Sequence, residues 1–557
     1  MPEEPLQSSH SPKIVLICLA LTAVAAALAA ARVPVGVPGQ WTMPPVDGPS
    51  WSGLWLALGA LGLIALIVWA IYSRIESARR YEAAVALAML VAFLFAMQFG
   101  IGALGRDGSQ ETFIALTTPG TTNLYFTESG EIGDPVDYLR GYDERAAKST
   151  EGWQLKTHPP GPVMFFYLCR RVVAAWPALG SAVLRFARTL TPADLYWRGI
   201  ESFGFLSGRI DTSAEAAGWL AVIVLRLAAA LTAVPAYILA RRLGGGPEED
   251  EQDGEGGRAR GPAPTRPAAF VAAAIAGLIP SVLLFNATID QLYPLLGLVA
   301  VLIGHRAVTR RSMLLNVLCG AVLYVGLMFS LSFVVFLVLI AAMQAWAVLS
   351  VCVGAGPRAC PRAATGGRPY TQPMAMTKSL PFLLRMLECL GIGVMVSVAA
   401  VYLTVGLGSL GGWARCLHAN GEFNHKEGRT YLAWLMANPA LFAAFLGVPA
   451  AVLFVRRLVQ DGRALLAERK ASVVDPLVVA TLGVLAALWL YGANLGEVER
   501  LWMPLMPLCA VAGVVNLNPG RTVALALICL QGLQAAAFKL ALDPLGFSEI
   551  IGEMGKG

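Results

Sequence analysis

The sequence predicts an all-α fold: a polytopic bundle of about 11–14 transmembrane helices with one large polar loop between Gly105 and Trp219. Two observations carry this prediction. First, 56% of the residues are hydrophobic and only 14% are charged, whereas soluble proteins carry about 25% charged residues. Second, apolar runs long enough to cross about 30 Å of hydrocarbon recur along the chain. Because backbone amides find no water partners in lipid, these runs are expected to be helical.

The apolar runs define the candidate spans. They are 14–33, 54–73, 83–104, 218–240, 267–286, 290–304, 313–330, 332–352, 383–407, 433–455, 476–493, 501–516 and 521–540. Residues 161–179 are also apolar, but Arg170 and Arg171 interrupt them. We therefore expect a short helix there that lies at the membrane surface or re-enters it, since a full span would invert everything that follows.

Basic residues cluster in the short connections, which predicts the orientation. The clusters lie within 74–80, 241–242, 305–311, 358–378 and 456–470. All of them fall on one face if the N-terminus is cytoplasmic and the spans alternate, and the positive-inside rule assigns that face to the cytoplasm. The large loop then faces outward. We expect an integral protein of a bacterial inner (cell) membrane with an extracytoplasmic active site.

Five regions follow from this pattern. They are N-terminal spans (1–104), a large extracytoplasmic loop with short amphipathic, interfacial helices (105–217), one span (218–243), a disordered cytoplasmic linker (244–266) and a C-terminal transmembrane bundle (267–557). The linker is rich in glycine, proline and acidic residues, which cannot form a hydrophobic core.

Several function classes are disfavoured by the sequence. The net charge of +6 is spread over short clusters between apolar runs. We therefore expect the protein to lie in a lipid bilayer and not to bind nucleic acid. The sequence lacks a GxxxxGK[ST] nucleotide-binding loop, and its cysteines form no CxxC pair. No cofactor is therefore assigned from these patterns.

The motif His158-Pro159-Pro160 directly precedes an apolar, aromatic-rich helix. Consecutive prolines fix φ and keep the preceding residue out of the helix, so His158 is held at a helix entrance. One interpretation is a catalytic histidine at the membrane surface. The other is a solvated histidine at the end of a loop, and both stay open.

Carboxylates and aromatic residues cluster upstream of this motif. Asp134-Pro135 is typical of a helix start, with the aspartate as N-cap, so a capping role competes with a catalytic one. A carboxylate cluster beside a membrane can act as a general base or bind a divalent metal, and both alternatives remain. The residues of interest are Tyr125, Glu128, Asp134, Asp137 and Tyr142.

These motifs, followed by the span with Leu225-Arg226-Leu227 and its end Ala240-Arg241-Arg242-Leu243-Gly244-Gly245, resemble the GT-C superfamily of membrane glycosyltransferases. The resemblance is to the aminoarabinose transferases acting on lipid A and the protein O-mannosyltransferases, as an uncharacterised bacterial branch. It implies an inverting transfer of a sugar from a polyprenyl-phosphate donor. The acid pair usual before the loop tyrosine is absent before Tyr125. Either Glu128 or Asp134 replaces it as the catalytic carboxylate, or the chemistry differs. The family's Lys/His-Pro-Pro segment corresponds to the motif that begins at His158.

Polar residues of later segments are expected on the same outer face. Asp290 lies in a short connection between apolar runs, where a role in lining a site outweighs a simple turn. Glu497 and Arg500 have the i, i+3 spacing of a structural ion pair, and a phosphate-binding role is the alternative. The remaining candidates for substrate binding are His425, Lys426 and Arg429.

Two other functions compete with glycosyl transfer. A transporter or lipid flippase would favour charges deep within spans and matched broken helices in two halves, and neither is evident in the sequence. A non-catalytic membrane scaffold is the third alternative, against which the clustered His, Asp and Arg residues argue.

Overall fold

The computed structural model is an all-α helical bundle, as the sequence predicts. Within the described part of the chain, eight helices are long and apolar enough to cross a membrane, and ten if each of two bent pairs counts as one span. The structure describes residues 11–46, 51–72, 74, 80–105, 108–117, 124–149, 153–190, 211–243, 266–354, 376–426, 428–468, 474–492, 495–515, 517 and 519–543. The predicted linker at 244–266 lies outside these residues except for Arg266.

The helices of the bundle follow the apolar runs. They are Ser11–Ala30, Ser52–Tyr72, Arg80–Gly102, Thr212–Leu231, Ala233–Leu243, Arg266–Gly277, Pro280–Leu284, Tyr293–Thr309, Met313–Phe329, Phe333–Gly354, Met376–Val405, Tyr431–Leu446, Val448–Glu468, Pro476–Tyr491, Met506–Val514 and Arg521–Ala541. Many leucines and valines of these helices are exposed, as expected of side chains that face lipid.

Short helices occupy the described parts of the large loop and the later connections. In the loop they are Ser109–Thr117, Leu124–Gly130, Pro135–Arg140, Tyr142–Lys148, Trp153–Thr157, Gly161–Ala175 and Pro177–Leu190. In the later connections they are Ser409–Lys426 and Val498–Leu501, with 3-10 turns at Ile289–Leu292 and Met503–Leu505. One element was not predicted: an antiparallel hairpin of the strands Val35–Val37 and Trp41–Met43.

The apolar stretch after His-Pro-Pro does not form one straight span. The helices Gly161–Ala175 and Pro177–Leu190 meet at 109°. Pro177 accounts for the break, because a proline disfavours a helical conformation in the residue before it. The bend fits either a broken span or a re-entrant segment, so the expected place of this helix at the membrane surface stays a prediction.

The prediction of one continuous helix over 433–455 is wrong. The chain turns by 113° at Gly447, between Tyr431–Leu446 and Val448–Glu468. Two glutamines of the last helix satisfy the backbone groups freed by this break. Gln531 donates to the carbonyl of Leu446 at 2.8 Å, and Gln534 accepts from the amide of Val448 at 2.8 Å. Non-helical backbone at membrane depth is tolerated where such partners are present.

Close packing of two glycines joins the helices Met313–Phe329 and Met376–Val405. A Cβ atom at Gly393 would overlap the carbonyl oxygen of Val317, and one at Gly320 would overlap that of Leu390. Small residues at such crossings let helix backbones approach, which is how helices associate in lipid.

Replacement of Gly393 by alanine is expected to destabilise the protein by about 1–3 kcal/mol, because the two helices must move apart. The midpoint of thermal unfolding in detergent measures this. Gly391→Ala is the matched control, since a Cβ at Gly391 meets nothing within 4 Å. Equal midpoints for the two variants would contradict the close-packing argument.

Candidate functional site

Four separate segments bring polar side chains together at the end of the bundle that carries the large loop. Tyr125 lies in the helix Leu124–Gly130, and His158 precedes the two prolines. Asp290 lies in the 3-10 turn Ile289–Leu292, and Arg500 lies in the helix Val498–Leu501. The charge of Arg500 influences the ionisation of each of the other three side chains, so all four lie in one neighbourhood.

Arg500 is held by a carboxylate that it shares with a second arginine. Glu497 accepts from Arg500 at 2.7 Å and from Arg429 at 2.9 Å. Burial alone would raise the pKa of the Glu497 carboxyl, but the charges of Arg500 and Arg429 lower it below its usual value. The Arg429–Glu497–Arg500 triad therefore carries a net positive charge, which favours an anionic ligand.

The two arginines of the triad differ in accessibility. The Arg429 side chain is 4% exposed and also donates to the carbonyl of Leu495 at 2.7 Å. The Arg500 side chain is 29% exposed. Burial opposes its charge, but the carboxylates of Glu497 and Asp290 raise the pKa of Arg500 above its usual value, so it stays a cation. Arg500 is the group of this triad that a ligand can reach.

Two loops of the site hold non-glycine residues in the left-handed backbone region. Glu497 has φ 55° and Ala287, three residues before Asp290, has φ 58°. Such conformations cost of the order of 1–3 kcal/mol and cluster at functional sites, where surrounding contacts enforce them. The amide of Ala287 is held by the side chain of Gln291 at 2.7 Å.

Asp290 is buried beside Arg500 without a direct ion pair. Its exposed fraction is 9%, and no described cation lies within 4.0 Å of its carboxylate. Arg500 is nevertheless close enough for their charges to interact. Asp290 and Arg500 therefore lie near each other but do not form a contact ion pair.

His158 is a neutral base at neutral pH. Burial, with a smaller effect of nearby Arg500, lowers the pKa of His158 to about 4. Its Nδ1 lies 3.2 Å from the carbonyl oxygen of Gln154 and 3.0 Å from the Thr157 hydroxyl, which donates to another carbonyl. Because a carbonyl only accepts, this geometry favours a proton on Nδ1 and leaves Nε2 as the acceptor.

Two tyrosines contact His158. The ring of Tyr125 meets the imidazole edge-on with centroids 5.6 Å apart. The hydroxyl of Tyr142 donates to the carbonyl of His158 at 3.1 Å. Arg415 fastens this part of the loop by donating to Asp143 at 3.1 Å and to the carbonyl of Lys156 at 2.7 Å. The imidazole position is thus fixed by contacts on several sides.

Asp134 and Asp137, predicted from the sequence to take part in the site, lie in exposed positions. The Asp134 carboxylate accepts from the amides of Val136 and Asp137 at 2.7 and 3.0 Å, as an N-cap does. Asp137 pairs with Arg140 at 3.1 Å on the surface. The capping alternative therefore accounts for the position of Asp134, and neither carboxylate joins the contacts around Arg500.

Two further candidates make contacts elsewhere, and a third has an undescribed side chain. Glu128 accepts from the Tyr138 hydroxyl at 3.2 Å and lies 3.8 Å from Arg145. Lys426 is exposed, with its ammonium group over an indole ring. His425 lies in the helix Ser409–Lys426, and its side chain is outside the described part of the structure.

Sequence reasoning missed two members of the site. Tyr293, one turn after Asp290, is buried and interacts with Tyr125. Glu499 is 1% exposed, and neither of its carboxylate oxygens has a hydrogen-bond partner. The sequence signal for Glu499 is an ionisable residue directly before an apolar run, between Glu497 and Arg500.

Among the described residues, no group of three or more His, Cys, Asp or Glu side chains is placed to hold a metal ion. Comparison with known proteins gave no matching family model and no matching curated protein. The GT-C resemblance therefore stays a prediction.

Glu499→Gln is expected to make the protein more stable at neutral and alkaline pH. Burial, reinforced by Glu497, raises the pKa of Glu499 to about 8, so the folded state keeps a proton that the unfolded state releases above about 4.5. Stability due to this group therefore falls as pH rises from about 4.5 to about 8. A glutamine does not titrate, so the variant avoids this decrease. Its free energy of unfolding at pH 7 should be higher than that of the wild type by on the order of 3 kcal/mol.

Thermal unfolding midpoints of wild type and variant, measured from pH 5 to pH 8, check this. The curves should meet at the acid end and diverge towards pH 8. Glu422→Gln, on an exposed glutamate, serves as control. A constant offset at all pH values would show that Glu499 is not protonated in the folded protein.

Proposed function

We propose that this protein is an integral membrane glycosyltransferase of the GT-C type. It moves a sugar from a polyprenyl-phosphate donor to an acceptor on the extracytoplasmic side, with the N-terminus in the cytoplasm. One observation carries the proposal: a partly exposed arginine, Arg500, lies beside a buried carboxylate, Asp290, among helices long and apolar enough to cross a membrane. The proposed reaction needs a cation that binds the lipid phosphate and a base that accepts a proton, close together at the membrane boundary.

The reaction assigns a task to each charge. An acceptor hydroxyl attacks the anomeric carbon, so a C–O bond to the acceptor forms and the C–O bond to the phosphate breaks. The electron pair leaves with the phosphate oxygen, and Arg500 stabilises the charge that develops there. The hydroxyl proton passes to a base, and polyprenyl phosphate is released. Attack opposite the leaving group inverts the anomeric centre.

Asp290 is the base in this proposal, in place of Glu128 or Asp134. Both of those carboxylates are engaged by other groups, Glu128 by a tyrosine hydroxyl and Asp134 by backbone amides. Asp290 also has a local partner, the Thr288 side chain, but it is buried, has no described cation within 4.0 Å and lies near Arg500. His158, neutral at pH 7, provides a second acceptor near Arg500, and Tyr125 provides a surface against which a sugar ring can pack.

A transporter or lipid flippase is the second candidate. The observation that favours it is the break at Gly447, because transporters place binding sites at discontinuous helices. The glutamine side chains that satisfy this break reduce its weight, since the freed backbone groups already have partners.

A reconstitution experiment separates the two functions. The purified protein in proteoliposomes receives radiolabelled polyprenyl-phosphate pentoses and hexoses, with an envelope extract as acceptor source. Glycosyl transfer predicts that the labelled donor is consumed and that unglycosylated polyprenyl phosphate appears in equal amount. Donor that stays intact but changes leaflet, measured with a membrane-impermeant reagent, would replace the proposal with lipid flipping. Intact donor that does not move would refute both.

A further inference from the structure

A fully buried arginine lies close to the Asp290 turn. Arg226, in the helix Thr212–Leu231, is 0% exposed and forms no salt bridge with any carboxylate of the described chain. An unpaired cation is costly at membrane depth, so its retention calls for an explanation other than stability. Its guanidinium group lies 4.2 Å from the centroid of the Phe99 ring, which offsets part of that cost.

The hydrogen bonds of Arg226 connect it to the segment that carries Asp290. Its Nε donates to the Oδ1 of Asn286 at 2.6 Å, and its Nη2 donates to the hydroxyl of Thr112 at 3.1 Å. Gly102 leaves the room that this requires, because a Cβ there would press against Nη2. Arg226 thus joins the helix Ser109–Thr117 of the large loop to the first residue of the segment that carries Asp290.

Amide side chains extend this network around the turn. Asn286 donates to the Oε1 of Gln98 at 3.1 Å, and Gln291 donates to the same oxygen at 2.9 Å. Gln291 also accepts from the amide of Ala287, the residue with a left-handed backbone. Both ends of the Asn286–Gln291 segment are therefore fastened to one oxygen of the helix Arg80–Gly102, and Asp290 lies between them.

We propose that Arg226 is a positioning residue, which holds Asn286 and thereby keeps the Asp290 turn in the conformation that faces Arg500. The planar guanidinium group of an arginine donates to two acceptors in fixed directions. The ammonium group of a lysine is a point charge and does not reproduce this geometry. The kinetic part of this inference rests on the proposed function, and its structural part does not.

The test compares three variants in lipid nanodiscs by hydrogen–deuterium exchange and by transfer kinetics. Arg226→Lys and Asn286→Ala each cut the link to the turn. Thr112→Val, nearly isosteric, removes the other partner of Arg226 and leaves the turn attached. We expect at least a tenfold faster exchange in the peptide covering 286–292 for the first two variants and an unchanged rate for Thr112→Val.

Kinetics should split in the same way. Arg226→Lys is expected to lower kcat about 10–100-fold with less than a threefold change in KM for the donor, because Arg500 still binds it. The double variant Arg226→Lys/Asn286→Ala should be no slower than Asn286→Ala alone, since Arg226 acts on the turn through Asn286. Lower thermal stability of Arg226→Lys with normal exchange in 286–292 would overturn the inference. Faster exchange without any transfer activity in wild type would leave the inference standing and refute the glycosyltransferase proposal.

Discussion

Replacing Asp290 with asparagine is expected to lower the rate of sugar transfer by about 10²–10⁴-fold, the range that a positioned general base contributes. The asparagine keeps the size of the side chain and loses only the ability to take the proton. Its position beside Arg500 is otherwise unchanged, so KM for the donor should change little. Single-turnover transfer from labelled donor in proteoliposomes measures the chemical step directly.

The control for this variant is Asp211→Asn. Asp211 is an exposed N-cap whose carboxylate accepts from the amide of Ala214 at 2.6 Å, and asparagine caps a helix equally well. It should transfer sugar at the wild-type rate. Near-normal transfer by Asp290→Asn, with loss of transfer in Asp134→Asn or Glu128→Gln, would show that the general base is a carboxylate of the large loop and not Asp290.

Replacing Arg500 with glutamine is expected to lower kcat/KM by about 10²–10³-fold, because the leaving phosphate loses its cation in a site of low dielectric. The triad would then hold one arginine and one glutamate and would lose its net positive charge. KM for the donor should rise together with the fall in kcat. Arg500→Lys should retain an intermediate activity, since a point charge remains and the bidentate geometry is lost.

Arg140→Gln is the matched control for Arg500. Arg140 lies in the large loop and pairs with Asp137 at 3.1 Å. Both side chains are exposed, so the ion pair contributes little to stability. Thermal unfolding of each variant distinguishes lost chemistry from lost folding. Wild-type kinetics in a folded Arg500→Gln protein would exclude Arg500 as the phosphate ligand.

The sequence predicted the helical class and most helix positions because lipid permits few backbone conformations. Long apolar runs must satisfy their own hydrogen bonds, so the helices Ser52–Tyr72 and Arg521–Ala541 lie within two residues of the predicted spans. The same rule did not reveal the break at Gly447. That break depends on Gln531 and Gln534, more than 80 residues away, whose side chains replace the missing helical bonds.

The sequence by itself also identified the segments that meet in the site. Asp290, Glu497 and Arg500 stand out because ionisable residues beside apolar runs are costly unless they are paired or used, and His158 stands out because two prolines follow it. What the tertiary structure decided is which of them meet. It left Asp134 as a cap, because its neighbouring amides are local partners, and it placed Asp290 beside Arg500, 210 residues away in the sequence. Local hydrogen bonds can be read from spacing, whereas contacts between distant segments depend on how the helices pack.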